Sequence, residues 1–395
     1  QGLNDLYVRF FRMAERKITE MTPHEGVICF ISNYSWLDGL SFTGMRERFI
    51  DRFDKIDVDS LNGDKYRTGK VTPEGDPDPS IFSTKYNREG IQVGTAIATL
   101  LRRGDHRATT HVRFRDLWGR SKLTILEANA SSVGNVEYEE IEPREEIGFP
   151  MMPRVVAEGY LEWRRLPEVF PVYHPGVQTK RDDLVVDIDR SRLVARMKRY
   201  FDPEVSHEEM ARICPRALKT TKAFDAKQTR ELLQARGILP DQFLPHVYRP
   251  FDLRWLYWEP ETNLLERKVP QYVAQVDGER PWFATSQRSR KGFEPPSSLT
   301  GVGSLHLVEW SASLFPLLID ISATSMDLFD QPDGGDPRRV NGTLRYNVSE
   351  LAVEYIEAIG SVAEDAPRLF HHAIAVMHAP AYREENAGAL RQDWP

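Results

Sequence analysis

The feature that most constrains the fold is an uninterrupted apolar run, GVICFISN, at residues 26–33. A run of this length and composition predicts a strand that is buried on both faces, as parallel strands of α/β sheets are. Apolar residues at helical spacing precede it from residue 4 to about residue 21, and Phe42, Met45, Phe49 and Ile50 predict an amphipathic helix after it. The run is therefore expected to be a central strand between two helices.

Further strands are predicted at residues 55–61 and 90–101, separated by a polar loop that is rich in Gly, Pro and Asp. The order helix, strand, helix, strand, loop, strand is half of a doubly wound sheet. Short β-like pieces follow at residues 109–115 and 122–127, and an acidic linker follows at residues 137–146. The first region is therefore predicted to be a partial Rossmann-like sheet over residues 1–104, with a connector over residues 105–148.

The second region is predicted to be a mixed α+β domain at residues 149–347, followed by a helical tail at residues 348–395. Helices are predicted around residues 190–200 and 226–236, and an aromatic, basic segment lies at residues 248–258. The predicted fold class is therefore α/β, with a partial sheet before a mixed α+β domain.

Composition excludes several classes of protein. No apolar run approaches the about 20 residues that a membrane span needs, so no membrane segment is expected. Cys29 and Cys214 lie far apart without metal-ligand neighbours, so both are expected to be reduced, in a cytosolic protein without a metal site. A net charge of -7 requires any nucleic-acid site to be a local basic cleft.

The sequence lacks two common phosphate-binding motifs, G-x-G-x-x-G in a strand-to-helix context and the phosphate loop. Gly301-Val302-Gly303 lies in a polar stretch without that context and is interpreted as a turn. The chain starts at Gln1, directly before a helix that is expected to belong to a fold, so a preceding segment is expected.

The first hundred residues resemble the part of adenine-N6 DNA methyltransferases that follows the catalytic motif. The matching residues are 4–12, 26–39, Phe42, 44–46, Asp59, Leu61, Gly63, Ile81-Phe82 and 94–97. The second half resembles the specificity region of the Eco57I-like and type ISP restriction-modification enzymes. Its matching residues are 170–171, 176–182, 248–257, 315–317 and 378–383.

This resemblance implies that the chain combines the C-terminal half of a methyltransferase domain with a target-recognition domain. The parent enzyme would use S-adenosylmethionine to methylate adenine in double-stranded DNA, with the N-terminal half of the polypeptide as partner. Leu6 and Tyr7 would lie near the cofactor's adenine, and Phe82 would stack on the flipped base. The alternatives are a helix-core role for Leu6 and Phe10, which periodicity favours, and a strand-end core role for Phe82.

The sequence also departs from the family pattern. The Asn-Pro-Pro-Tyr-type motif is absent, since the only Pro-Pro pair is Pro295-Pro296, and Ser83 stands where many relatives have Asp. The chain alone is therefore expected to transfer no methyl group. Two other interpretations stay open, namely a stand-alone DNA-binding or structural remnant without catalysis and an unrelated α/β enzyme.

Two segments contain candidate contacts to DNA, because arginine and aromatic side chains serve phosphates and bases alike. The first contains Arg249 and Arg254 with Trp255 and Tyr257, and its alternative is a structural nucleus in which Arg254 pairs with Asp252. The second is the polar, basic segment at residues 286–291, whose alternative is a solvated charged loop. Its candidate residues are Gln287, Arg288, Arg290 and Lys291.

Overall fold

The structure is a computed structural model that describes residues 4–21, 25–131, 136–289, 292–309, 311–322 and 336–395. The chain divides into two compact units, Gln1–Val156 and Ala157–Pro395. Within the described ranges, none of the helices combines the length and the apolar character that a membrane span requires. The architecture is mixed α/β, with several small sheets and helices.

The first unit is built around one sheet with the strand order β1-β3-β2-β4-β5. Its elements are α1 (Leu6–Arg16), β1 (Gly26–Asn33), α2 (Thr43–Arg52), β2 (Lys55–Asn62), β3 (Thr95–Arg102), β4 (Val112–Asp116), α3 (Lys122–Ser131) and β5 (Glu139–Ile141). The predicted order helix, strand, helix, strand, loop, strand is confirmed. Strand β3 is antiparallel to both β1 and β2, so β1 and β2 run in the same direction.

Strand β1 is buried on one face only, which corrects the prediction of burial on both. Ile28 is buried, whereas Val27, Cys29 and Ile31 are exposed. Helix α1 covers the face of Phe30, where the Phe11 and Phe30 ring centroids lie 5.1 Å apart. Because side chains alternate along a strand, the uncovered face leaves every second residue in solvent.

Helix α1 packs Tyr7 and Ala14 against the core, as the apolar periodicity predicted, but it leaves Leu6 and Phe10 outside the core. Leu6 and Phe10 are 68% and 52% exposed, and Phe11 is buried against Phe30, Trp36 and Phe49. The helix-core interpretation of Leu6 and Phe10 is therefore wrong. Phe10 and Phe11 are adjacent aromatic residues, so the sequence alone does not tell which of them faces the sheet.

The segment after β3 also differs from the expectation of short β pieces and a connector. Residues 122–127 belong to helix α3, because Leu, Ile and Thr fit either structure and the following Glu-Ala-Asn-Ala favours a helix. Strands β4 and β5 belong to the first sheet, β4 in parallel to β2 and β5 antiparallel to β4.

The second unit contains sheets of strand order β11-β10-β13-β6, β12-β8-β9-β7 and β14-β15. Its helices are α4 (Leu166–Val169), α5 (Asp182–Val185), α6 (Arg190–Phe201), α7 (His207–Ile213), α8 (Ala226–Arg236), α9 (Pro270–Val273), α10 (Glu350–Ala358), α11 (Ala366–His378), α12 (Pro380–Glu385) and α13 (Ala387–Leu390). Its strands are β6 (His174–Pro175), β7 (Val186–Asp187), β8 (Phe243–Arg249), β9 (Asp252–Tyr257), β10 (Trp282–Thr285), β11 (Ser297–Leu299), β12 (Val302–Gly303), β13 (Ser313–Pro316), β14 (Leu318–Asp320) and β15 (Leu344–Tyr346).

The predicted helices α6 and α8 are confirmed, and both begin after a capping aspartate. The Asp189 and Asp225 carboxylates accept hydrogen bonds from the first backbone N–H groups of α6 and α8. One apolar core joins Leu193 of α6 and Leu233 of α8 to Leu256 of β9. This core fixes the position of the β8–β9 hairpin, which carries the first candidate segment.

Candidate functional site

The arginine–tyrosine cluster of the second unit consists of Asp182, Tyr248, Arg249, Asp252 and Arg254. The guanidinium carbons of Arg249 and Arg254 lie 4.4 Å and 3.9 Å from the centroid of the Tyr248 ring. The Tyr248 hydroxyl donates a hydrogen bond of 2.7 Å to Asp182. The hairpin thus holds two cations against one aromatic ring.

The two arginines of this cluster differ in their electrostatic environment. Arg254 donates from Nε and Nη2 to the two oxygens of Asp252, at 2.9 Å and 2.7 Å, and this hydrogen bonding raises the pKa of Arg254. The pairing that the structural alternative required is therefore present. Arg249 donates instead to the Tyr248 carbonyl at 2.6 Å and the Ser304 hydroxyl at 3.5 Å. In the described part of the chain, Arg249 forms no ion pair, although Asp252 is close enough to interact with it electrostatically.

The segment 176–182 packs beside the hairpin and supplies further polar groups. A side chain at Gly176 would place its Cβ 2.4 Å from the Ser304 backbone, so this close approach requires glycine. Next to it, the side chains of Gln178 and His306 lie 3.4 Å apart, and Lys180 pairs with Glu266 at 2.7 Å. Residues 176–182 and 248–257, two of the five segments that resembled the specificity region, are therefore joined through the hydrogen bond between Tyr248 and Asp182.

The two aromatic residues after Arg254 have structural surroundings. Tyr257 is fully buried, and its hydroxyl accepts a hydrogen bond from the Leu239 amide at 3.3 Å. The Trp255 ring lies 5.3 Å from the guanidinium carbon of Arg190. Tyr257 therefore fills the core, which agrees with the alternative in which the aromatic residues of this segment have a structural role.

The second candidate segment follows β10, in a different sheet. Gln287 donates a hydrogen bond of 2.9 Å to Asp393, and Arg288 is exposed. Arg290 and Lys291 lie outside the described residues. Asp393 also pairs with Arg165 at 2.8 Å, so Gln287 is part of a local polar network. Among residues that are described, no hydrogen bond joins this segment to the arginine–tyrosine cluster.

In the first unit, the carboxyl ends of β1 and β2 lie at one edge of the sheet because both strands are antiparallel to β3. The 63–94 loop, which connects β2 to β3, starts there. Asp64 holds its two ends by accepting hydrogen bonds from the Tyr66, Arg67 and Gly94 amides, at 2.6 Å, 2.8 Å and 2.9 Å. Ligands bind at such carboxyl edges in open α/β sheets.

A buried ion pair fixes the middle of this loop. Asp78 and Lys122 are 2.6 Å apart, with 0% and 2% of their side chains exposed. Asp78 also accepts hydrogen bonds from the Gly63 and Gly119 amides, at 2.7 Å and 2.8 Å. Burial lowers the pKa of Lys122, and the Asp78 carboxylate opposes this shift. The loop therefore has a defined path across the edge of the sheet.

Phe82 lies in this loop and is 41% exposed, so it is not part of the buried core. Tyr66 and Tyr86 of the same loop are exposed as well. Lys85, Arg88 and other basic residues line a cleft beside them. The residues of this cleft are Lys70, Pro77, Pro79, Ser83, Thr84, Lys85, Arg88, Glu89 and Arg120. Exposed aromatic rings beside cations are the groups that stack on bases and bind phosphates.

Leu6 and Tyr7 lie at the same edge of the sheet. The end of α1 is near the start of β1, since Ile18 contacts Gly26, and the start of α1 is near Phe42, whose ring is 6.4 Å from that of Tyr7. The Tyr7 hydroxyl is buried with no hydrogen-bond partner among the described residues, and burial raises its pKa to about 12. The structure thus brings Leu6, Tyr7 and the loop of Phe82 to one edge.

The sequence analysis missed a charged cluster at the end of β1. The buried Asp38 pairs with Arg67 at 2.9 Å and with Arg154, and Arg67 also lies over the Tyr34 ring. Arg46 is fully buried and donates to the Trp36 carbonyl at 2.7 Å. Burial lowers the pKa of Arg46 to about 10. These partners are distant in sequence, so no local motif reveals them.

Comparisons with known proteins relate this geometry to a family. Residues 168–395 match the family model described as the type ISP C-terminal specificity domain. The chain is similar in fold to DrdV in a complex with DNA, with a TM-score of 0.60 and 22% identity. It is similar to a nuclease-deletion mutant of the type ISP enzyme LlaGI in complex with a DNA substrate mimic, with a TM-score of 0.58 and 20% identity. No curated protein sequence matches the chain.

A third similar structure is the ATP-dependent type ISP restriction-modification enzyme LlaBIII bound to DNA, with a TM-score of 0.60 and 18% identity. The three comparisons cover 100% of this chain and 37%, 35% and 25% of the DrdV, LlaGI and LlaBIII chains. At these identities the likeness is one of fold. Because the family model covers more than half of the sequence, the chain belongs to the family of the C-terminal specificity domains of type ISP restriction-modification enzymes.

Proposed function

We propose that this chain recognises a specific sequence in double-stranded DNA for a parent enzyme that methylates adenine at N6. The observation that carries the proposal is the arginine–tyrosine cluster, which lies within the part of the chain that matches the specificity family. With a net charge of -7, the chain needs local cationic groups to bind DNA, and Arg249 offers a guanidinium that forms no ion pair among the described residues. Arg249 contacts a phosphate or a base edge in this proposal.

Arg254 has a different role in the proposal because its pairing with Asp252 occupies Nε and Nη2. It holds the hairpin and offers its remaining N–H groups to DNA. The segment of Gln287, Arg288, Arg290 and Lys291 forms a second contact region. The exposure of Arg288 supports that assignment, whereas the bond from Gln287 to Asp393 would have to break for Gln287 to contact a base.

The first unit is the C-terminal half of a Rossmann-like methyltransferase sheet in this proposal. Support comes from β1, which lies at the edge of the sheet with Val27 and Ile31 exposed. An edge strand with an uncovered apolar face is a surface that a preceding part of the polypeptide would pair with and cover. The N-terminal half of the parent would thereby complete the sheet and supply the glycine-rich turn and the Asn-Pro-Pro-Tyr-type motif.

The residues present fit one wall of a site for S-adenosylmethionine. Leu6 offers an exposed apolar surface, and the Tyr7 hydroxyl is a buried polar group without a described partner at the same edge. When bound, S-adenosylmethionine supplies the methyl group for transfer. Phe82, in the loop at that edge, stacks on the flipped adenine in this proposal.

Salt-dependent DNA binding tests the central claim. The chain is titrated with a pool of duplexes whose central sequence is randomised, at several salt concentrations. We expect the logarithm of the binding constant to fall linearly with the logarithm of salt concentration, and Arg249→Ala to reduce the slope by about 1. Arg368→Ala, which removes an exposed arginine of α11, serves as the matched control. An equal slope for Arg249→Ala and wild type would move the contact away from the cluster.

A further inference from the structure

The turn of the β8–β9 hairpin contains Phe251, a phenylalanine that is not packed into the core of the second unit. The backbones of Arg249 and Asp252 lie opposite each other in the hairpin, so Pro250 and Phe251 form a two-residue turn. Phe251 is fully exposed, and Leu253, two residues further along β9, is exposed as well. Two exposed apolar side chains near the tip of a hairpin indicate a contact site more strongly than a single exposed residue does.

The backbone at this position is strained for a bulky residue. Phe251 has φ of +62°, in the left-handed region that glycine and asparagine adopt with little strain. A turn with such a residue at its second position normally contains glycine. The exposed ring gains no packing in the free chain that would offset the strain. Backbone strain at a residue whose side chain adds no packing to the fold indicates a functional role for that residue.

The tip is firmly held by its surroundings. Arg254 binds both oxygens of Asp252, and the Arg249 guanidinium donates to the Tyr248 carbonyl at 2.6 Å. The Tyr248 hydroxyl binds Asp182 at 2.7 Å and thereby ties the hairpin to the segment 176–182. The backbone of the tip is therefore held in place, which lowers the backbone entropy that is lost when the tip meets a partner.

We propose that Phe251 is an aromatic wedge that packs against the base pairs of the DNA duplex that this unit recognises. The inference rests on the proposed function and names a residue that the sequence analysis did not select. DNA is the favoured occupant because Arg249, which forms no ion pair among the described residues, directly precedes the turn. A phosphate contact from Arg249 would place the tip at a groove, where apolar wedges insert between base steps and kink the duplex.

The test uses the full chain and duplexes enriched by wild-type binding from a pool with a randomised centre. Phe251→Ala removes the ring, Phe251→Trp keeps an aromatic face, and Tyr355→Ala removes an exposed aromatic of α10 as the matched control. Circular dichroism checks that each variant is folded. Affinity, its salt dependence and the fluorescence of 2-aminopurine placed along the enriched site are measured.

We expect Phe251→Ala to weaken binding by about 5- to 150-fold, since base–aromatic stacking is worth about 1–3 kcal/mol. The salt slope should stay that of wild type because no phosphate contact is lost. Phe251→Trp should retain most of the affinity and the 2-aminopurine signal of unstacking, and Tyr355→Ala should match wild type. Affinity and unstacking that are equal in Phe251→Ala and wild type would overturn the wedge and leave the proposed function intact.

Two further outcomes separate the proposals. If wild type shows no salt-dependent binding to any duplex, the proposed function is wrong, and the wedge is wrong with it. If Phe251→Ala leaves DNA binding unchanged and abolishes self-association in sedimentation, the tip is a protein contact and the wedge is wrong alone.

Discussion

Replacement of Lys122 by methionine tests whether the buried Asp78–Lys122 pair fixes the loop that carries Phe82. The side chains are 2% and 0% exposed, and Nζ lies 2.6 Å from the Asp78 carboxylate. Methionine keeps much of the apolar stem and removes the charge. The Asp78 carboxylate would then stay buried with only two amide donors, from Gly63 and Gly119.

The structure allows the cost to be estimated. Removal of one partner from a buried ion pair costs about 3–5 kcal/mol, mainly because the other charge stays behind. The two amide hydrogen bonds still stabilise Asp78, which favours the lower limit of about 3 kcal/mol. The carbonyls of Leu61 and Pro79 also lose the Lys122 donor, which adds to the cost.

The measurement is native-state hydrogen exchange, resolved by peptide, because the chain has two units and a single melting temperature would average them. Peptides of β2 and the 63–94 loop should lose protection equivalent to about 3 kcal/mol, and peptides of the second unit should not change. Lys65→Met is the control, since its pair with Glu89 spans 3.5 Å between exposed side chains and contributes less than about 1 kcal/mol.

A loss of protection in Lys122→Met no larger than in Lys65→Met would contradict the role of the ion pair in fixing the loop. A second variant guards against a merely steric explanation. Adding Asp78→Asn to Lys122→Met removes the buried charge but leaves one of the Gly63 and Gly119 amides without an acceptor, so the double variant should lose less stability than the two single variants added together. If the stability losses of Lys122→Met and Asp78→Asn simply add in the double variant, the loss in Lys122→Met comes from packing and not from the unpaired Asp78 charge.

Two further predictions concern the other parts of the molecule. Burial lowers the pKa of His246 to about 4, so the unfolded chain binds the proton first, and as pH falls from about 6.5 towards 4 the second unit should lose about 3 kcal/mol of stability. Urea unfolding across this range should show the loss, whereas His246→Gln should show a flatter profile than the exposed-site control His306→Gln. In a protein with the N-terminal half restored, Phe82→Ala should strongly lower labelled methyl transfer to duplex DNA and Phe82→Trp should keep most of it. Equal rates in a folded Phe82→Ala variant and wild type would contradict base stacking by Phe82.

The sequence predicted those parts of the fold that depend on local patterns. Helices α6 and α8 follow from apolar periodicity after a capping aspartate, and the apolar run of β1 gave the strand its observed bounds. It wrongly predicted that Phe10 and not Phe11 faces the sheet, because the two residues are adjacent and the choice depends on contacts with residues 19 to 38 positions away. The sequence also overestimated how much of β1 is buried, because an apolar side chain is found on covered and on uncovered faces of a sheet alike.

The same distinction between local patterns and contacts that are distant in sequence applies to the candidate site. Tyr248, Arg249 and Arg254 could be selected from the sequence because they lie in one short segment. Their connection to Asp182 depends on a strand pairing across the second unit, which no periodicity encodes. The Asp78–Lys122 pair likewise joins a loop to a helix that was predicted as a strand.

Residue type alone treats Arg249 and Arg254 as equivalent candidates, and their surroundings separate them. A guanidinium that is already bound to Asp252 contributes little net charge, so Arg254 is poorly suited to neutralise a phosphate. Arg249 has no such partner among the described residues and can do so at a smaller cost. The same Asp252 pairing holds the strained turn that presents Phe251. In the proposed complex, Arg249 therefore provides the electrostatic attraction, and Arg254 acts through the turn, by positioning the ring that meets the bases.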